Sequence, residues 1–189
     1  MANSFHEVLE RAAMGKELSK DDLISLLSAS EKESVELFQL ADEIRAKFVG
    51  EEVHLRGLIE FSNYCKRNCK YCGLRKNNKY IKRYRMSPWE IIESAGRAAE
   101  LGCPTIVLQS GEDEYYSAEI LADVIREIKK ENDVAITLSV GERPRQDYEL
   151  FKKAGADRYL LKHETSDPQL FNSLRPGTSL AQRLEKQRW

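Results

Sequence analysis

Apolar positions near the start of the chain recur at helical spacing. Phe5, Val8, Leu9 and Ala12 form one stripe that stops before Gly15, and a second short helix is predicted behind Ser19, with Asp22 in the place of a capping-box acid. A third and longer helix begins behind Ser30 with Glu33 at the capping-box position, carries Val35, Phe38, Ala41, Ile44 and Phe48 along one stripe, and stops at Gly50. These helices read as packing elements without evident chemistry. The period then drops to two: Val53, Leu55, Gly57, Ile59 and Phe61 alternate with His54, Arg56, Leu58 and Glu60, which predicts a strand over residues 53–61.

Beyond residue 86 the two periods alternate. Ser87-Pro88-Trp89-Glu90 supplies an N-cap, a proline at the first helical position and a capping-box acid, and the helix runs through Ile91, Ile92, Ala95 and Ala99 to Gly102. Thr105 to Leu108 is a short buried strand, about Ser117 to Lys130 a helix, and Val134 to Leu138 a further strand. Residues 145–154 form a helix ending at Gly155, Asp157 to Leu161 is the fourth strand, and Pro168 opens another helix. Strand starts at 105, 134 and 157 give repeats of 29 and 23 residues, a β/α rhythm. No Gly-rich dinucleotide fingerprint follows any strand, which argues against a nicotinamide-binding sheet. The expected fold class is α/β, a (βα) TIM-type barrel, with a helical segment over 1–50 and four β/α units over 51–189.

The loop leaving the first strand, S-N-Y-C-K-R-N-C-K-Y-C-G-L-R, holds three of the four cysteines, Cys65, Cys69 and Cys72. Thiolates at C-x3-C-x2-C spacing close on a compact soft-metal object, and a cubane [4Fe-4S] cluster fits best. With no fourth cysteine nearby, one iron keeps an open position, which signals chemistry rather than electron storage. Tyr71, inside the second gap, suits a wall that covers the cluster and stacks on an adenine. The competing reading is a structural zinc knuckle, which lacks a well-spaced fourth ligand. Cys103 reads as a small buried apolar residue.

Charge and composition narrow the partners. The 189 residues carry a net charge of −1, so no overall field points to nucleic acid or membrane. No apolar run approaches the roughly 18 residues of a membrane span, and the opening M-A-N-S-F-H-E lacks the blocks of a signal peptide, so a cytoplasmic protein is expected. Between Lys66 and Arg85 stand nine Lys or Arg and no acid, interleaved with Tyr71, Tyr80 and Tyr84. A nucleic-acid partner is not expected, because no recognition motif accompanies the charge. Neutralising an anionic cluster while docking an acidic electron donor, or a plainly solvated basic face, both account for it. His54, alone on a strand, reads as packed or solvated rather than as a ligand.

In a β/α barrel chemistry sits where strands end. Gln109-Ser110-Gly111-Glu112 follows the second strand, Ser139-Val140-Gly141-Glu142 the third and His163-Glu164-Thr165 the fourth, so all are expected on the rim of the cysteine loop. Each alone is equally well a turn or cap.

The cysteine spacing with its aromatic resembles the radical S-adenosylmethionine (SAM) superfamily. Together with R-Y-R-M-S-P, T-I-V-L-Q-S-G-E-D, A-G-A-D-R-Y-L-L-K-H-E-T and L-R-P-G-T-S it is similar, from about Leu37 to Arg183, to the HydE-type [FeFe]-hydrogenase maturases of the biotin-synthase-like branch. The resemblance implies that Cys65, Cys69 and Cys72 hold a [4Fe-4S] cluster whose open iron takes SAM, and that one electron cleaves SAM to a 5′-deoxyadenosyl radical. It implies that Ser110 and Glu112 lie in the SAM amino-group stretch, that Glu164 contacts SAM, and that Arg183 anchors its carboxylate. These roles suit the groups, since carboxylates meet an ammonium and a guanidinium forks onto a carboxylate. Thr137 and Lys162 are candidates to face the substrate. A small-molecule or iron-complex substrate, a one-electron donor such as a flavodoxin or ferredoxin, and other hydrogenase maturases are the implied partners.

Two departures stand out. Lys162 takes the place of an arginine expected in the family, which loses a bidentate donor. The chain also carries four strands where a complete barrel has eight and about 250 residues, so the N-terminal part of a longer enzyme, or a truncated gene product, is expected. Methylornithine synthase and biotin synthase are the nearest enzymatic alternatives, and a noncatalytic iron-sulfur or zinc fragment is the alternative of another class.

Overall fold

The computed structural model describes residues 3–189. It divides into two compact units, one through Val53 and one spanning His54–Trp189.

The first unit holds three helices, α1 (Phe5–Ala13), α2 (Lys20–Leu27) and α3 (Glu31–Val49). Each starts on a serine, Ser4, Ser19 and Ser30, in a complete capping box with Glu7, Asp22 and Glu33. Phe5 and Val8 of α1 are buried as the spacing requires, but no residue of α3 is. Its half-buried line is Leu37, Leu40 and Ile44, whereas Val35, Phe38, Ala41 and Phe48 of the expected stripe stand exposed. The helix carries two apolar lines, and a 3.6-residue period does not say which of them is covered. Asp22 is covered at 3% exposure, accepting from Asn3 Nδ2 at 2.9 Å, Arg11 Nη1 at 2.8 Å and the Ser19 backbone N–H at 2.8 Å.

The second unit is a four-stranded parallel sheet in sequential order, β1 (Arg56–Ser62), β2 (Thr105–Ser110), β3 (Ala135–Ser139) and β4 (Arg158–Tyr159). Between the strands run α4 (Pro88–Glu100), α5 (Ala118–Glu131) and α6 (Arg145–Ala154), and α7 (Pro168–Leu174) and α8 (Leu180–Gln187) follow. Pairing opens at Arg56 with Thr105, so Val53 and Leu55, which extended the predicted strand, precede the ladder and are exposed. β4 is shorter than expected, although Asp157 N donates to Ile136 O at 2.9 Å and Leu160 N to Leu138 O at 2.7 Å on either side of it. The sequence reading missed α8, whose Ser179–Gln182 capping box is the signal that was available.

One face of the sheet is dry. Ile59, Phe61, Ile106, Leu108, Ile136 and Leu138 are buried in one core with Ile91, Leu121, Ile125 and Phe151 of the helices. The alternate residues, Leu58, Val107, Thr137 and Leu160, are not buried. A sequential parallel order with helices on a single face is barrel order; a doubly wound sheet reverses its strand order and is covered on both sides. Gly57 is set by this packing, since a Cβ there would lie 2.7 Å from Ala98 Cβ. Cys103 is half-buried against the same core.

Two outcomes follow from these arrangements. Edge strands β1 and β4 each have a neighbour on one side only, and Leu58 and Leu160 stand open on the uncovered face, so the 189-residue chain is expected to self-associate. Sedimentation velocity on anaerobic protein checks this; a well-behaved monomer with one cooperative thermal transition would contradict it. The bonds from Asn3 and then Ser19 lower Asp22 from the usual 3.8 to about 2. A depressed carboxyl stabilises above its unfolded value and loses that contribution as pH falls through the folded one. The loss in thermal midpoint caused by Asp22→Asn should thus be full at neutral pH and shrink between about pH 4 and pH 2.

Candidate functional site

The cysteine loop leaves β1 at Ser62 and is tied down within a few residues. Ser62 Oγ donates to Asp113 Oδ2 at 2.6 Å, and Arg85 grips both oxygens of the same carboxylate at 2.7 and 2.9 Å. Burial alone would raise Asp113, but Arg85 and Ser62 hold it below the usual carboxylate range. The Arg85 guanidinium also lies over the Tyr64 and Tyr115 rings, 3.9 and 4.7 Å from their centroids. Arg83 donates to the backbone carbonyls of Asn63, Leu74, Arg75 and Asn78. An arginine that satisfies four carbonyls at once fixes a loop that has no ladder of its own.

This changes the meaning of the basic run. Arg67, Arg75, Arg83 and Arg85 are internal ties, and Lys66 pairs with Glu114 at 2.7 Å. Lys70, Lys76, Lys79 and Lys82 are the exposed remainder that a docking partner could meet.

Cys65, Cys69 and Cys72 line a pocket of about 260 Å³ at the C-terminal ends of the strands. All three are free thiols, with Cys69 buried and the others half-buried. Burial pushes the Cys65 thiol up, against the Arg67 and Glu112 backbone N–H groups, which donate to its sulfur at 3.4 Å each. Among the described residues no three His, Cys, Asp or Glu side chains converge on one metal ion.

The same pocket is lined by Tyr71, Ser110 and Glu112, and by Lys162, Glu164 and Arg183, so six scattered stretches of sequence meet there as the strand-end rule requires. Thr137 is half-buried on β3 beside Val107 and Arg158 and does not line the pocket. His54 and His163 are exposed and lie outside it. Burial of the Tyr71 phenol raises it to about 12. Glu164 holds a φ of 68°, in the left-handed region that a glutamate enters only under constraint.

Behind the pocket lies an ionic network that the sequence reading did not foresee. Glu112 Oε2 accepts from Arg67 Nε at 2.5 Å, and its Oε1 accepts from Arg175 Nη2 at 2.5 Å. Glu112 therefore stands not as a free carboxylate but as the anchor of two guanidiniums. Glu142 is 1% exposed at its side chain and meets Lys186 at 2.7 Å, Arg183 Nε at 2.9 Å and Arg175 at 3.3 Å. Burial would raise Glu142, but Lys186, Arg183 and Arg175 outweigh it and hold the carboxyl below its usual range. Four cations thus surround two carboxylates, leaving positive charge in excess. Arg183 Nη1 donates to Lys162 O at 2.8 Å, whereas Nη2 has no partner and Nε lies near Glu142 without being aimed at it. Arg175, in the quoted L-R-P-G, and Arg67, lost in the basic run, were the arginines that carried this signal.

Two glycines set the spacing. A Cβ on Gly111 would fall 2.2 Å from Tyr64 O and 2.7 Å from Cys65 Cβ, and one on Gly141, at φ 77°, would fall 2.0 Å from Glu112 Cγ.

A family profile described as the Radical SAM superfamily matches residues 59–187. The chain is 55% identical over 179 residues to the [FeFe] hydrogenase maturase subunit HydE of Thermotoga maritima, covering 94% of this chain and 51% of that protein. It is 34% identical to 3-methylornithine synthase of Methanosarcina acetivorans, covering 95% of this chain and 52% of the relative. A crystal structure of methylornithine synthase superposes with a TM-score of 0.86 at 30% identity, over 96% of this chain and 54% of that one. The chain spans about half the length of the curated relatives it matches.

Replacing Gly111 by alanine should push the Cys65 segment away from β2, lowering the thermal midpoint by the equivalent of about 1–3 kcal/mol and reducing iron retained per chain after anaerobic reconstitution. Gly96→Ala in α4, where a Cβ meets open space, should instead stabilise by about 0.5–1 kcal/mol. Equal iron retention in both variants would show that the loop relaxes around the new methyl.

Proposed function

The chain belongs to the radical SAM superfamily, and from that premise we propose that Cys65, Cys69 and Cys72 hold a [4Fe-4S] cluster and that SAM binds beside it in the pocket they line. The family's cofactors, when bound, supply a one-electron reductive cleavage of SAM to a 5′-deoxyadenosyl radical. The observation that carries the reading is the buried Arg183 guanidinium, 2% exposed, lining the cysteine pocket with Nη2 unpartnered. A buried donor without an acceptor costs about 1–3 kcal/mol, which a ligand carboxylate would recover.

The other residues then have definite tasks. Glu142 pairs with Arg183 and holds it in place, while Lys162 O fixes its Nη1 side. Glu164, kept at positive φ on the rim, presents a carboxylate to the amino and ribose groups of SAM. Ser110 Oγ donates to Gly111 O at 2.7 Å and keeps its lone pairs for the ligand. Tyr71 walls the cluster side, and exposed Lys162 stands at the pocket where a substrate carboxylate would arrive. Thr137 faces the uncovered side of the sheet with the substrate.

We place this activity in assembly of the hydrogenase H-cluster's diiron subsite, on a small-molecule or iron-complex substrate, with electrons from a flavodoxin- or ferredoxin-like donor. Support for it is the 55% identity to a HydE subunit, against 34% for methylornithine synthase. The exposed Lys70, Lys76, Lys79 and Lys82 offer an acidic donor its docking charge.

Reconstituted protein should carry about four irons per chain and show a cluster spectrum perturbed by SAM. Cys69→Ala should abolish that perturbation. Glu164→Gln and Arg183→Ala should keep the iron and weaken SAM binding by about ten- to a hundredfold, the equivalent of roughly 1.5–3 kcal/mol. One zinc per chain, or unchanged SAM affinity in both variants, would overturn the reading.

A further inference from the structure

Arg175 closes α7 as its C-cap and turns back under the cysteine loop, with its side chain 9% exposed. Its Nη1 donates to Cys69 Sγ at 3.4 Å, while Nη2 donates to Glu112 Oε1 at 2.5 Å and to Glu142 Oε1 at 3.3 Å. A second and independent tie joins the same two segments, because Lys70 N donates to Leu174 O at 2.8 Å. The residue after Cys69 is thus bonded to the residue before Arg175, and the guanidinium is held in register with the sulfur by backbone as well as side chain.

The thiols are not treated alike. Cys65 receives two neutral backbone N–H groups, from Arg67 and Glu112, whereas Cys69 faces a full positive charge in the most buried position of the three. Reduction potentials of thiolate-bound clusters are set by net charge, hydrogen bonds to sulfur and solvent exposure, and Arg175 touches all three quantities at one ligand. Reduction adds negative charge, so a cation fixed against a sulfur in a low-dielectric wall favours the reduced state.

We propose that Arg175 is a positioning residue that sets the cluster's reduction potential by donating a charged hydrogen bond to the Cys69 sulfur. This rests on the cluster reading above. Glu112 and Glu142 act through it: they hold its Nη2 and offset part of its charge, so the potential is raised without leaving an unpaired buried cation. Lysine, a point charge on a flexible stem, cannot reach the sulfur and both carboxylates together.

The test uses the 189-residue chain, Arg175→Met and Arg175→Lys, each reconstituted anaerobically, with iron counted and the midpoint potential taken from a redox titration followed by electron paramagnetic resonance. The methionine variant is expected to keep its iron and to show a reduced-to-oxidised ratio at least about tenfold lower at a given potential, a shift of about 59 mV to the negative for one electron. The lysine variant should shift in the same direction by less. Equal potentials in the unaltered chain and the methionine variant would overturn the proposal and leave the cluster reading intact, whereas no iron in the unaltered chain would remove both. Should the methionine variant lose iron, the lysine variant decides, and an unshifted potential there overturns the proposal. Loss of iron from both variants, with the thermal transition kept, would assign Arg175 to holding the cluster instead and overturn it as well.

Discussion

Taking a charge out of water costs several kcal/mol unless its partners come with it, and that constraint organises this site. Glu112 and Glu142 lie in the loops after β2 and β3, Arg67 comes from the cysteine loop after β1, and Arg175, Arg183 and Lys186 come from the two last helices. None of the buried groups is stable in its position alone. The network therefore forms as a unit or not at all, and when it forms it fixes the relative placement of every loop that carries a cysteine or a ligand contact. A hydrophobic cluster of the same volume would hold the loops together too, but without direction; the fork of a guanidinium on two carboxylates specifies angles as well as contact. With cations in excess over carboxylates, Arg183 keeps Nη2 without a protein partner in a residue that lines the pocket.

The sheet supplies the platform for this, and close approach makes it exact enough to matter. Gly57 lets α4 settle on β1, Gly111 lets the β2 loop press on the Cys65 segment, and Gly141 lets the β3 loop pass under Glu112. Tyr159 of β4 adds a strut, donating from its hydroxyl to Gly141 O at 2.6 Å. Each contact transmits the position of a strand to the loop beyond it, so the rigid sheet, which reaches the pocket itself only at Gln109, Ser110 and Ser139, also sets the side chains its loops carry there.

Much of this was legible in the sequence, and the failures have physical reasons. The alternation of periods located four strands and the first seven helices to within a few residues, because Ile59, Ile106, Ile136 and their helix partners must be buried for the sheet to exist. The serine-acid pairs marked helix starts because an N-cap satisfies donors wherever the helix lies. The cysteine loop was legible because three thiols in eight residues have few uses. What stayed hidden depended on tertiary partners: which apolar line of α3 is covered, how far β4 extends without a neighbour beyond it, and above all the buried charges. Arg67 looked like one basic residue among nine, and Glu112 like a free acid, because the sequence records that a residue is charged and not what it faces.

The distribution of the site along the chain carries a last consequence. The cysteines, Ser110, Glu164 and Arg183 all fall within the four β/α units, and their supporting network is complete inside the same span. The uncovered sheet face is different, since Leu58, Val107, Thr137 and Leu160 meet no packed layer among the described residues. On the proposed reading, cofactor binding and substrate enclosure are thus separable in this architecture: the first falls to loops that brace one another, the second to whatever surrounds the open face. A radical formed at the pocket would, on the same reading, stand open to water, because nothing in the ionic network excludes solvent from that side.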